Sequence, residues 1–583
     1  MIGLGKWIVK KSLVMSASVL ALSIAAPMGA PAFAQGNSSV VTQGGSGNDL
    51  TVDQSGTGNS STVDQDGTPT GVDGIANEAS VTQAGTGGAS YVDQTGDNQV
   101  TVTQSATSDG VFADITQENA GGGTSNVTTL TQDGTGTGYG GAFVSQTGTD
   151  GEIEITQGEL STEAVAVVTQ SGDNNSATTN QDLGADQFST ITQGEFGTEA
   201  VAAVTQSGDD NSAAINQDLG ADQLSTITQS GPDQTADVTQ VGDNNSSTIT
   251  QSQNTNTANV TQSDADNIST VIQDGEEGVA TIVQSGTGNT SFVDQDNDDD
   301  RTELVITQSG NDNSSTTFSD DDDNLITHTQ TGNRNTANSD IQSEDSFSTI
   351  IQSGDDNVAT TVQGNASDRQ TSTITQSGDR NIANVLGQGV DFSGPTDNDN
   401  VSAITQSGDD NFASVEQDSD GDTHTLTQSG SGNSSITNQG LESGSGLPQG
   451  NAATIVQSGD MNNSTIAQLD SDNDVFVDQI GAGNTSTITQ NIGATSNEAD
   501  VEQGGASGQS EITQSGTSNI AGLIQGGSLN ESFVTQSGTL NESSTTQDGI
   551  ANMAIVTQGG MMDVSNVTQI GNGNMVTVTQ NVP

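Results

Sequence analysis

The sequence predicts an all-β chain, a two-sheet β-solenoid of 11-residue strand–turn units with two units in each 22-residue coil. Three observations carry this. Gln recurs at every eleventh position over long stretches, side-chain character alternates with a period of two before each Gln, and the turn that follows takes two forms in alternate units.

The Gln spacing comes first, because internal repeats decide an architecture before any local propensity does. Gln229, Gln240, Gln251, Gln262, Gln273, Gln284 and Gln295 follow each other at intervals of 11. So do Gln503, Gln514, Gln525, Gln536, Gln547, Gln558, Gln569 and Gln580, and shorter runs include Gln406, Gln417, Gln428 and Gln439. A disordered low-complexity chain has no reason to hold such a register.

One unit shows the strand. Gln406 to Gln417 reads Q-S-G-D-D-N-F-A-S-V-E-Q. From Asn411 onward, Asn, Ala, Val and Gln fall on every second position, which is the period of a strand with one buried face. Gln284 to Gln295 repeats the pattern with Asn289, Ser291 and Val293. The intervening x-G-x-x is the turn, where Gly, Asp and Asn accept positive φ. Q-S-G opens at Gln406 and Gln428 but not at Gln417 or Gln439, so one coil comprises two units. Stacked coils place Gln over Gln and Asn over Asn. At strand spacing, roughly 4.8 Å, such columns form amide ladders. The ladder residues expected on this reading are Gln229, Gln240, Gln251, Gln262, Gln273, Gln284, Gln406, Gln417 and Gln428, with Asn245, Asn289 and Asn411.

Composition sets the problem that the ladders solve. Hydrophobic residues are 29% of the chain, aromatics 3%, and there is no Cys. Such a chain lacks the apolar area to offset its ordering entropy through an ordinary core. A solenoid needs no large core, since each coil buries its face on its neighbours.

The segment 1–34 stands apart. Lys6, Lys10 and Lys11 precede an apolar stretch, Ser12 to Ala26, and Ala32-Phe33-Ala34 is a small-x-small cleavage site. This predicts a secretory signal peptide over 1–34, cut between Ala34 and Gln35, and a repeat array over 35–583. About 549 residues at 22 per coil give roughly 25 coils. Beyond the leader, four arginines stand against 75 carboxylates. That surface repels nucleic acid and anionic membranes. No later segment is apolar enough to insert into a bilayer.

Defects punctuate the array. Spacings of 18 separate Gln65 from Gln83, Gln388 from Gln406 and Gln439 from Gln457, and read as longer loops holding Pro69, Pro395 and Pro448. Ser319 stands in a Gln position, and residues 157–192 recur as 193–228 with seven differences.

The pattern Q-x-G-x-x-N-x-A-x-x-x-Q at Gln406 to Gln417, iterated through the array, resembles the curlin repeat of bacterial curli subunits. The resemblance implies an amyloid-like solenoid that self-assembles into extracellular fibres at the cell surface, supporting adhesion and biofilm matrix. It allows a curli nucleator and outer-membrane export machinery as partners. The chain is longer and more acidic than familiar curlin subunits, and Asn, as at Asn245 and Asn400, often stands where the family opens a strand with Ser.

Chemistry beyond structure has few candidates. His328 and His424 are read as solvated residues near outward or loop positions, and no triad or ligand set forms around either. No catalytic residue and no cofactor are expected. Asp296 with Asp298, Asp299 and Asp300, and the run Asp320 to Asp323, cluster oxygens of the kind that hold Ca²⁺ weakly. A monomeric acidic adhesin stalk, calcium-bound or not, is therefore one alternative. Ice binding through outward pairs at Thr226/Thr228, Thr248/Thr250, Thr373/Thr375 and Thr487/Thr489 is another, although Thr is also simply a good exposed strand residue.

Overall fold

A computed structural model describes residues 36–67, 76–119, 125–133, 140–158, 161–194, 198–296, 301–364, 369–388, 399–440 and 450–581. The segment expected to be a signal peptide, with its expected cleavage site at Ala34 and Gln35, lies outside the described residues, as do Pro69, Pro395, Pro448 and Asp298 to Asp300.

The described residues form 46 strands, β1 (Ser38–Gly45) to β46 (Met575–Gln580), numbered in chain order, and no helix. Each strand pairs, in parallel, with the strand two places along. Odd strands build one 23-stranded sheet and even strands a second, and the two close face to face as a β-solenoid. One odd and one even strand make a coil. The 23 coils amount to about 110 Å of stack at a strand spacing near 4.8 Å. The count falls short of 25 because the longer connections take residues out of the repeat.

Register is set by chemistry at two levels. In β16 (Leu224–Gln229), β18 (Ser246–Gln251) and β20 (Ile268–Gln273), Ser225, Ser247 and Ser269 align, as do Ile227, Ile249 and Val271, and Gln229, Gln251 and Gln273. A slip of one residue would turn each of these columns to solvent. Burial alternates accordingly, with Ser247, Ile249 and Gln251 buried and Ser246, Thr248 and Thr250 facing outward. Val, Ile and Leu line the middle of the stack as a thin apolar seam, flanked by an Ala/Ser column small enough for the sheets to approach.

Insertions do not break the register. Gln376 and Gln406 are separated by one of the longer connections yet pair in adjacent strands. Strand β30 (Ile382–Gln388) carries one extra residue, and the ladder shifts there as a bulge opposite Thr361/Gln363. Gly387 takes it up at φ 62°, which returns Gln388 to the Gln column. Holding the amide in register is worth a distorted strand.

The expected outward placement of the two histidines is wrong. His328 lies in the apolar column of β25 (Leu325–Asn333), between Ile306 and Ile350, and is fully buried. His424 lies in the Ala/Ser column of β33 (Thr423–Ser429), between Ser402 and Ala453, and is equally buried. Parity explains both. His328 stands two residues before Gln330 and His424 four before Gln428, so each shares the inward face of its Gln.

Candidate functional site: two stacked amide ladders

A ladder Gln commonly makes two kinds of bond. In the odd sheet its Nε2 donates to Oε1 of the Gln one coil further along, at 2.7–3.1 Å, without interruption from Gln43 to Gln569. Gln240, Gln262, Gln284, Gln406 and Gln428 belong to this ladder. The same Nε2 donates across the coil to a main-chain oxygen of the facing sheet, as from Gln262 to Ser246 O at 3.0 Å and from Gln284 to Ile268 O at 3.0 Å. The ladder therefore clamps the sheets together as well as the coils.

Gln229, Gln251, Gln273 and Gln417 stand in the even ladder. Gln229 donates to Gln251 and Gln251 to Gln273 at 3.0 and 2.8 Å, and Gln417 donates to Gln439 at 3.0 Å. This ladder has defects. After Gln295 its column is occupied by Ser319 and then Ile341, and it resumes at Gln363. Gln490 Oε1 also accepts no bond among the described residues. Ile341, like Ser319, was visible in the sequence as a failure of the Gln period.

The Asn columns close the turns. Asn289 Nδ2 donates to Ser285 O at 2.9 Å and to Gly310 O of the next coil at 3.0 Å. Its Oδ1 accepts from the main-chain N and the Nδ2 of Asn313 at 3.1 and 3.0 Å. Asn245 and Asn411 stand in the same column, with Oδ1 accepting from Asn267 and Asn433. The two kinds of ladder run in opposite senses. Gln donates toward the C-terminal coil, and Asn accepts from it. The C-terminal face of any coil therefore offers Gln N–H and Asn carbonyl groups, and the N-terminal face offers the complement.

A family model described as the curlin associated repeat matches residues 197–231 and 511–538. Those two segments carry the curlin associated repeat. The matched segments are ordinary coils of the stack, with strands β14 (Val201–Ser207) to β16 in the first, and the same columns run on through the coils between them. No curated protein matches the chain at significance.

The array carries all four of its arginines in one class of position, the positive-φ turn residue just before a strand-opening position. Arg301, Arg334, Arg369 and Arg380 have φ of 56–59°. Each reaches one coil along, to Asp323, Asp356, Asp399 and Asp410, at 2.7 Å. The arginines hold the Asp323, Asp356 and Asp410 carboxyls below the usual carboxylate range, chiefly by hydrogen bonding. These clasps are exposed, and such pairs contribute little singly because solvent screens them.

Acidic side chains gather where the even ladder fails. Asp294, Asp296, Asp320 and Asp340 line an open recess of about 290 Å³ with Phe318, Ser319 and Gln342. Burial raises the Asp294 carboxyl, and Asp296, Asp274 and Asp320 add to it. Asp321, Asp322 and Glu344 bring oxygens within 4.8 Å of each other, the one such group of three among the described residues. The Thr pairs do not form one face. Thr226/Thr228, Thr248/Thr250 and Thr487/Thr489 lie on the even sheet and Thr373/Thr375 on the odd, and along the even sheet Ile272 and Asp294 follow Thr250 while Phe292 follows Thr248 and Thr270.

Asp422 replaces Asn in a strand-opening column. Its N donates to Asn400 Oδ1 at 2.8 Å, its Oδ1 accepts from Asn451 N at 2.9 Å, and Ser419 Oγ donates to its other oxygen. Burial pushes its carboxyl up to about 7, against these hydrogen bonds. The folded chain thus holds a proton that the unfolded chain releases near pH 4. Stability from this group is present at low pH and is lost as pH rises from about 4 to about 7. Asp422→Asn restores the column and should remove that slope. At about pH 8 it should stabilise the chain by up to roughly 4 kcal/mol, at about 1.4 kcal/mol per pKa unit. Denaturant unfolding of both chains at about pH 5 and pH 8 measures this, and an unchanged slope in the variant refutes it.

Proposed function

We propose that the chain is a structural subunit of extracellular curli-like fibres, serving adhesion and matrix rather than catalysis. The opposed ladders carry this reading. Interior strands bury alternate residues, whereas β1 and β46 leave theirs exposed or half exposed. Gln569 and Gln580 Nε2 bond main-chain oxygens but no further rung, and Gln43 and Gln54 Oε1 accept nothing among the described residues. One face supplies the donors that the other lacks. A second copy fits head to tail, continuing both sheets and both ladders, and unpaired parallel edges template such addition. Secretion, a nucleator and an outer-membrane exporter belong to this reading as its expected route.

The mature chain should grow into fibres with a meridional reflection near 4.7–4.8 Å. Fibre diffraction and negative-stain microscopy test this, and a chain that stays a monomeric rod at high concentration for days refutes it.

Charge should govern the rate. Copies with so few cations repel each other, so salt within the screening range, about 0.1 M and above, should shorten the lag. Thioflavin kinetics across a salt series measure it. A lag independent of salt removes charge as the controlling barrier.

A further inference from the structure

The interior of the rod changes character around His328. The apolar column of the odd sheet runs Ile306, His328, Ile350. That of the even sheet runs Val293, Thr317, Ser339, Thr361 and then Val385. Three successive even strands, β24 (Ser314–Ser319), β26 (Thr336–Ile341) and β28 (Val358–Gln363), thus lack an aliphatic residue there. Ser319 and Ile341 remove the Gln rungs from two of these strands. The aliphatic core accordingly falls into two clusters, one from Val63 to Ile341 and one from Ala337 to Val567, which meet on β26.

A polar belt spans the gap. The His328 ring binds Ser315 Oγ through Nδ1 and Ser339 Oγ through Nε2, both at 2.7 Å, and Ser339 Oγ contacts Ser348 Oγ at 2.9 Å. Among the described residues no charged group faces the ring. The neighbouring strands β23 (Glu303–Asn311), β24, β26 and β27 (Phe347–Ser353) carry only Glu303 and Asp340, and both sit on outward positions. The other charges nearby, Asp320 to Asp323, Arg334, Glu344 and Asp345, are turn residues outside these strands. A protonated imidazole here would have hydroxyls but no carboxylate.

We propose that coils 314–363 are a seam dividing the rod into two cooperatively folding units, and that His328 makes this seam acid-labile. Stacked repeats couple only to their neighbours, so cooperativity breaks where an interface is weakest. Here hydrogen-bonded hydroxyls replace the aliphatic contacts, and one ladder is interrupted. Burial holds the imidazole down to about 3, against 6.5 when free. Opening releases it to bind a proton. The open state therefore gains about tenfold in population for each pH unit below 6.5, or about a hundredfold at pH 4.5. The proposal concerns the rod itself and stands whether or not copies assemble.

Hydrogen exchange by mass spectrometry on the full soluble chain, corrected for intrinsic rates, tests it. At neutral pH, peptides from 314–363 should be less protected than those from 224–284. At about pH 4.5 their protection should fall by a further ~100-fold relative to the flank. His328→Ile, which matches Ile306 and Ile350, should abolish that pH-dependent loss. A second variant, with Thr317→Val, Ser339→Val and Thr361→Val, keeps the histidine. It should raise protection at neutral pH while the acid loss persists. Equal protection of both regions at neutral pH overturns the seam, and an acid loss unchanged by His328→Ile overturns the role of the histidine.

Discussion

Replacing Gln229, Gln251 and Gln273 together by Ala should abolish or greatly slow fibre growth and strip the monomer of most of its stability. The three are consecutive rungs of the even ladder, and each also donates to a main-chain oxygen of the odd sheet, at Ser212, Thr235 and Thr257. Truncation removes rungs and cross-sheet ties at once. It also leaves Gln206 and Gln295 facing a gap in their column. A buried polar group without a partner costs about 1–3 kcal/mol. Three adjacent losses could reach roughly 3–9 kcal/mol before coupling between them is counted, against about 5–15 kcal/mol for a whole domain. The outward neighbours Thr228, Thr250 and Ile272 supply the control. Changed together to Ser, they should each stay within about ±0.5 kcal/mol. Growth rates and denaturant midpoints of the two triple variants, in one buffer, decide the matter. Equal impairment would show that the Gln face is not the one that holds the coils.

Gly332→Ala should be among the most damaging single changes in the molecule. Gly332 belongs to a turn column that continues through Gly286, Gly310, Gly354, Gly378 and Gly408, all at φ near 100°. A Cβ on Gly332 would be driven into the carbonyl oxygen of Gly354 in the next coil. The obstacle is main chain, so relief requires the coils to separate. Backbone strain and a clash of this kind belong to the short set of mechanisms that exceed about 4 kcal/mol. Gly573→Ala separates the two causes. Gly573 has φ 65° but open space around it, so only the left-handed penalty of about 1–2 kcal/mol applies. Thermal unfolding of the two variants measures the contrast, and similar losses would mean that steric contact between coils contributes nothing.

Much of this molecule was legible before any coordinates. An 11-residue Gln period with a two-residue alternation leaves few foldings, because only a stack of equal coils satisfies both. The ladder positions from Gln229 to Gln428, the glycine turns, the two alternating faces and the defect at Ser319 all follow from spacing alone. The two histidines depart from the sequence expectation because distance from the nearest Gln, not local polarity, decides which way a residue faces. Counting in twos from Gln330 and Gln428 puts both inward. Burial of a lone His beside Thr and Asp looks costly locally, and at His328 it is tolerated because Ser315 and Ser339 from other strands meet the ring.

The repeat by itself determined fold class, coil length and which side chains face inward, since periodicity is a property of one chain segment. Tertiary structure decided everything that depends on what the next coil brings. It gave the ladders their opposite directions, because amide orientation is a choice made cooperatively along a stack. It paired Arg334 with Asp356 and Arg380 with Asp410, turn residues that neighbour each other only once the coils are stacked. It placed Asp422 among buried asparagines, where its proton affinity rises. It also gathered Thr317, His328, Ser339 and Thr361, harmless substitutions when read singly, into one polar belt. Stacking sums such changes because each coil leans only on its neighbours.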